Sequence, residues 1–198
     1  MSEASVAGAY RRARPDEVPA LVALVESAYR GEPAESAWTT EAHLIGGQRV
    51  DRDMLGAAMA DPRTAVLVRV DPTGELVACC ELRQLDGAVA SFGMFAVSPD
   101  RQAAGVGREL LEEAERVVVR EWGATRMELS VIDVRIELVD WYRRRGYEPT
   151  GEQQPFPYGD ERFGRPRRDD LRFVVLAKDL VVGDTDRPTV PPVDSTGR

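Results

Sequence analysis

The stretch FGMFAVSPDRQAAGVGR, from Phe92 to Arg108, constrains the fold of this chain more than any other. It reads as an apolar strand, a turn at Ser98-Pro99, and a small-residue loop that opens a long amphipathic helix. Ala103, Ala104, Gly105 and Gly107 are too small to shield the backbone, so the amides there can close around a ligand. The first amides of a helix have no partner within it, and the helix dipole adds partial positive charge at that end. A bare helix start of this kind is a cradle for phosphate or pyrophosphate.

The helix that follows is well marked. Leu110, Leu111, Ala114, Val117 and Val118 recur at three- and four-residue spacing with Glu112, Glu113, Glu115 and Arg116 between them, and Gly123 stands at a favoured stop. Residues 126–132 read as a strand. A second helix then ends in Trp141-Tyr142-Arg143-Arg144-Arg145-Gly146-Tyr147, with Gly146 as its stop and the arginines near its negative end.

Two familiar glycine motifs fail here. The dinucleotide fingerprint needs a third glycine, and Leu110 stands there. A P-loop needs Gly-Lys-Ser/Thr, and the chain has Gly107-Arg108-Glu109; its only lysine is Lys178. The pattern that fits is Gln102-x-x-Gly105-x-Gly107, which resembles the acetyl-CoA signature of the GCN5-related N-acetyltransferase (GNAT) superfamily. Tyr142-x-x-x-Gly146-Tyr147 is similar to that family's second signature, a tyrosine, three residues and Gly-Phe. The resemblance spans roughly Tyr10 to Leu180. One departure stands out: Arg135 occupies the place where the family often has an asparagine. Its guanidinium suits a cofactor phosphate or a substrate carboxylate, or it is a solvated arginine at a helix start.

The resemblance implies a single-domain α/β fold, a mixed central sheet with helices on both faces, and an acetyl-CoA-dependent N-acetyltransferase acting on a primary amine. It also implies the cofactor contacts. Backbone groups along Phe95, Ala96 and Val97 would pair with the pantetheine arm like an added strand. Amides through Gln102, Ala103, Ala104, Gly105, Val106, Gly107 and Arg108 would hold the pyrophosphate. Tyr142 matches the family tyrosine near the cofactor sulfur, and its neutral phenol is a proton donor at pH 7. Family members often draw a base from a glutamate on the central strands; Glu81, in the strand before the glycine-loop strand, is the candidate. Glu128, Ser130 and His43 are its rivals. Two other readings carry the same loop: a catalytically silent acyl-CoA-binding module, and a nucleotide-binding protein with a chance glycine turn.

The chemistry asks for such groups. A lysine-like amine with a pKa near ~10.4 must lose a proton before it attacks, and a thiolate leaves more easily when protonated.

The rest of the chain fits one domain. Its 198 residues suffice for a self-supporting core, with 43% apolar and 30% charged residues. The boundaries read as a loose N-terminus over 1–8, a folded domain over 9–182 and a disordered, proline-bearing tail over 183–198. There is no apolar run of membrane-spanning length and no apolar leader core. Cys79 and Cys80 are adjacent in a strand, point to opposite faces and do not pair; no metal-ligand spacing occurs. A cytoplasmic setting is expected. The net charge of −8 speaks against nucleic-acid binding and leans toward a cationic partner, a small-molecule or peptide amine.

Along the chain, strands are expected near 10–14, 64–70, 76–85, 88–97 and 172–177, and helices over 15–29 and 51–60, with a short helix starting at Thr39 or Thr40. Asp71-Pro72-Thr73-Gly74 and Asp86-Gly87 read as turns. The segment from Thr150 to Asp170 has no clear period. Phe156, Tyr158 and Phe163 give it something to bury, so it packs as a connection, closes over the acceptor pocket or mediates a homodimer.

Overall fold

The computed structural model describes residues 8–31 and 41–181. The expected tail, the N-terminal residues 1–7 and a helix start at Thr39 or Thr40 lie outside them. The elements run β1 (Ala9–Arg12), α1 (Val18–Arg30), β2 (Ile45–Gly46), α2 (Arg52–Ala60), β3 (Thr64–Val70), β4 (Leu76–Gln84), β5 (Val89–Val97), α3 (Val106–Trp122), β6 (Arg126–Ile132), α4 (Ile136–Arg143), β7 (Glu148–Pro155), β8 (Arg165–Pro166) and β9 (Arg172–Asp179).

Local chemistry sets most of these boundaries. Pro15 opens the turn into α1, and the Glu17 carboxylate accepts from the Arg14 amide at 2.8 Å. Asp51 caps α2 by accepting from the Met54 amide at 2.8 Å. Gly123 ends α3 in the left-handed region (φ 63°), where its N–H reaches the carbonyls of Val118 and Val119.

Among the described residues, seven strands form one mixed sheet in the order β1-β3-β4-β5-β6-β9-β7; β2 and β8 make a separate small ribbon. Alternation along the strands splits the core into two layers. Leu67, Cys80, Leu82, Phe95 and Val97 face α3 and α4, packing on Leu110, Leu111, Ala114 and Tyr142. Val66, Val68, Cys79, Met94 and Ala96 face α1 and α2, packing on Leu21, Val25 and Leu55. The two cysteines therefore sit on opposite faces, as expected. Each large aliphatic side chain fully buried this way contributes about 1.5–3 kcal/mol of transfer free energy.

The segment after Thr150 departs from the sequence reading. Its start belongs to β7, which pairs antiparallel with β9 from Glu148↔Ala177 to Pro155↔Arg172, with an irregularity between Pro149 and Gln153. All of β7 is solvent-exposed, so it carries no apolar alternation, and only its backbone bonding makes it a strand. Phe156 is buried as expected, whereas Tyr158 is 43% exposed; its hydroxyl accepts from the Leu171 amide at 2.6 Å. The segment is fastened to the chain before α2 by the pairing of Ile45 with Pro166, and its Phe156 and Pro157 line a cavity.

Candidate active site

β5 and β6 are parallel neighbours only from Val89↔Arg126 to Phe92↔Leu129. Beyond Phe92, β5 stays with β4 and β6 stays with β9, so the two strands part. The cause lies in β5. Between Glu81↔Gly93 and Cys79↔Ala96, Met94 and Phe95 together oppose the single residue Cys80. This is a β-bulge, and Met94 adopts φ 45°, a left-handed conformation that costs a non-glycine residue about 1–2 kcal/mol.

A cavity of about 130 Å³ fills the opening, far more than one water occupies. Phe92, Gly93, Met94 and Phe95 line one wall, Leu129 to Ile132 the other, and Leu138 and Tyr142 of α4 close one side. Tyr29, Arg30, Glu41, Ile45, Arg49 and Arg135 line the rest, together with Phe156, Pro157 and Phe173.

Tyr142 is therefore brought to the splay. It is 4% exposed and packed edge-on against Phe92, Trp141 and Tyr147. Burial, the largest cause, holds its phenol well above the usual value of 10. Arg135 and Arg145 pull the other way but do not offset it. Its proton is thus retained across the neutral range.

Glu81 stands elsewhere. It pairs with Gly93 and lines a second groove against Met54 and Leu55 of α2, on the opposite sheet face from Tyr142. The two openings share Arg49, Gly93 and Met94, so they meet at the bulge. The Glu81 carboxylate is 3.4 Å from the Arg83 guanidinium. Of its rivals, Ser130 lines the cavity and bonds to Gln154 at 3.3 Å, Glu128 pairs with Arg126 at 2.9 Å, and His43 is exposed. Burial pushes the Cys79 thiol up to about 12 and raises Cys80 well above its ordinary value, so neither forms a thiolate nucleophile.

The cradle lies at the end of β5. A 3-10 turn over Pro99–Ala104 leads to Gly105, whose φ of 78° starts α3. A Cβ on Gly105 would meet no atom within 4 Å, so the backbone there borders open space. Gln102 is buried, and its Nε2 donates to the Val97 carbonyl at 3.1 Å, bracing the strand end against the loop. The Ser98 amide bonds back to Val77 on β4. By the alternation of an antiparallel ladder, the backbone groups of Phe95 and Val97 face away from β4, toward the splay, while those of Ala96 face β4. Val106 and Gly107 are buried in the first turn, and Arg108 is exposed beside Glu112.

A cationic cluster flanks this cradle. Arg145 lies over the Trp141 ring at 3.5 Å and donates to the Trp141 carbonyl at 2.6 Å. Its Nε is buried with no hydrogen-bond partner. Burial, then the charges of Arg144 and Arg108, lower its pKa from the usual value. Small-residue backbone, open space at Gly105 and an underpaired guanidinium fit the polyphosphate end of an acyl-CoA.

Sequence reasoning missed Tyr29, Arg30, Glu41 and Arg49. A tyrosine-arginine pair at a helix end reads as ordinary capping, and the other two fall in a stretch with no period. Arg135 is not a solvated helix-start arginine: it is 2% exposed, its Nε 2.7 Å from Glu137 and its Nη1 3.5 Å from Glu41.

The chain matches the model of the acetyltransferase (GNAT) family over residues 22–147 and belongs to that family. It is thus an N-acetyltransferase-type enzyme. No curated protein matches it in sequence. Among solved structures, the ribosomal-protein-S18-alanine N-acetyltransferase from Escherichia coli aligns with a TM-score of 0.64 at 16% identity, over 91% of this chain and 99% of that one. A spermidine N-acetyltransferase chimera from Vibrio cholerae and hSSAT aligns at 0.62 and 14% identity, over 87% and 95%. Nourseothricin acetyltransferase aligns at 0.52 and 21% identity, over 61% and 68%. At these identities the likeness is one of fold.

Proposed function

We propose that the protein moves an acetyl group from acetyl-CoA to a primary amine by direct attack within a ternary complex. The observation that carries this reading is the splay. It opens a cavity walled by Tyr142 that meets the Glu81 groove at Gly93 and Met94, and the same strand leads on to the loop at Gly105. Bound acetyl-CoA supplies an activated thioester. The chain supplies the rest.

Amides from Gln102 to Arg108 hold the pyrophosphate, with Arg108, Arg144 and Arg145 adding charge. The outward backbone of Phe95 and Val97 takes the pantetheine amides as a strand would. Tyr142 Oη keeps its proton and delivers it to the departing sulfur. Glu81, directly or through an ordered water, takes the proton from the amine nitrogen.

The test is amine-dependent thiol release from acetyl-CoA. Tyr142→Phe should lower kcat by about 10²–10⁴-fold while leaving acetyl-CoA affinity in place. An unchanged rate in that variant would remove Tyr142 from the mechanism. Acetyl-CoA binding with no thiol release for any amine would favour the silent acyl-CoA-binding module.

A further inference from the structure

The chain as a whole is acidic, with net charge −8, yet the cavity is not. Among the described residues, its ionisable lining is Arg30, Arg49 and Arg135 with the carboxylate of Glu41, beside neutral Tyr29 and Tyr142. Local charge at a recognition site outweighs net charge in choosing a ligand.

Among the described residues, the carboxylates beside Arg30 and Arg49 do not balance the pair. Glu41 is shared, with one oxygen 3.5 Å from Arg30 Nη1 and the other 3.5 Å from Arg135 Nη1. Glu137 engages Arg135 from outside the cavity, its side chain 61% exposed. Arg30 is only 10% exposed; its Nε donates to the Gly47 carbonyl at 2.9 Å, and its Nη2 is buried with no hydrogen-bond partner. Arg49 lies over the Tyr29 ring, 5.0 Å from its centroid, and makes no ion pair among the described residues. The neighbouring carboxylate of Glu26 is taken up by the Arg49 and Val50 amides. The cavity-facing charge of Arg30 and Arg49 is thus under-compensated, and a carboxylate is the group whose charge and geometry a guanidinium matches.

We infer that the acceptor is an amine that also carries a carboxylate, an amino-acid-like molecule whose acid group is held by Arg30 and Arg49 while its amine faces the splay. This inference rests on the acetyltransferase reading above and narrows the lean toward a cationic partner that the net charge supports. A polyamine would bring positive charge against the same arginines and be disfavoured.

The experiment compares matched acceptors in acetyl-CoA-dependent thiol release: lysine against 1,5-diaminopentane, phenylalanine against phenethylamine, and spermidine as a polycation. Each carboxylate-bearing member should show a kcat/KM about tenfold or more above its decarboxylated partner, and Arg49→Gln should erase most of that ratio. In parallel, calorimetry on the CoA-saturated wild-type enzyme compares N-acetyl-lysine with the matching N-acetyl-diamine, which needs neither turnover nor a variant. Tighter binding of the carboxylate product supports the inference. Equal or reversed preference in both assays, or spermidine as the best acceptor, overturns it while leaving the acetyltransferase reading intact. Failure of acetyl-CoA itself to bind overturns both.

Discussion

At the scale of single residues, burial decides what each titratable group can do. Tyr142 and Glu17 are both largely enclosed, with opposite consequences. Tyr142 has no countercharge strong enough to offset burial, so its phenol is raised and stays a donor. Its deprotonation should therefore contribute no loss of kcat as pH rises from 7 toward 10, a point a pH–rate profile checks directly. Glu17 is instead held to about 2, first by the Arg11 guanidinium at 2.6 and 2.8 Å and then, against the opposing effect of burial, by the Arg14 amide. A carboxylate depressed in the folded state adds stability that is fully present above its ordinary value of 4.5 and is lost as pH falls toward 2. Glu17→Gln should cost about 1–3 kcal/mol at pH 7 and flatten the acid limb of a stability–pH curve over that window. An unchanged acid limb would place the acid sensitivity elsewhere.

At the scale of elements, the glycine loop separates strain from function. Gly105 and Gly74 both hold positive φ, 78° and 88°, and a Cβ on either meets nothing within 4 Å. Gly105→Ala and Gly74→Ala should each cost roughly 1 kcal/mol in thermal or denaturant unfolding, from backbone strain alone. Only the first adds a methyl to the cradle, so only the first should weaken acetyl-CoA binding. Equal affinity in the two variants would make the loop a structural turn. The elements legible in the sequence are those with a one-sided apolar pattern or a cap. The strand over Thr64–Val70, the strand over Arg126–Ile132 and the helix closed by Gly123 fall where periodicity and stop chemistry put them. The strand over Glu148–Pro155 was illegible because it buries no face and exists through its ladder to Arg172–Asp179. The opening between the fifth and sixth strands was not legible in the sequence. Its local cause, two residues of one strand facing one of the next, leaves no mark on hydrophobic periodicity.

At the scale of the molecule, the site is assembled from places far apart in the chain. The cradle could be read from one contiguous loop because its chemistry is backbone chemistry, signalled by small residues in a row. The cavity could not. Arg30 comes from the end of the first helix, Arg49 from the stretch before the second, and Arg135 from the start of the fourth, and nothing local marks them as neighbours. The ribbon joining Ile45 to Pro166 and the cluster of Leu44, Ile132, Phe156 and Leu171 bring those segments against the splay. Two core layers grip the sheet from both sides, yet the fifth and sixth strands separate between them, leaving the sheet open where it is otherwise best supported.

This opening and its glycine cradle should bind acetyl-CoA, which titration calorimetry measures with CoA, ATP and NAD as comparators. Acetyl-CoA and CoA should bind in the micromolar range, with neither ATP nor NAD competing effectively. No acetyl-CoA binding at millimolar ligand, or ATP and NAD binding as tightly, would contradict it.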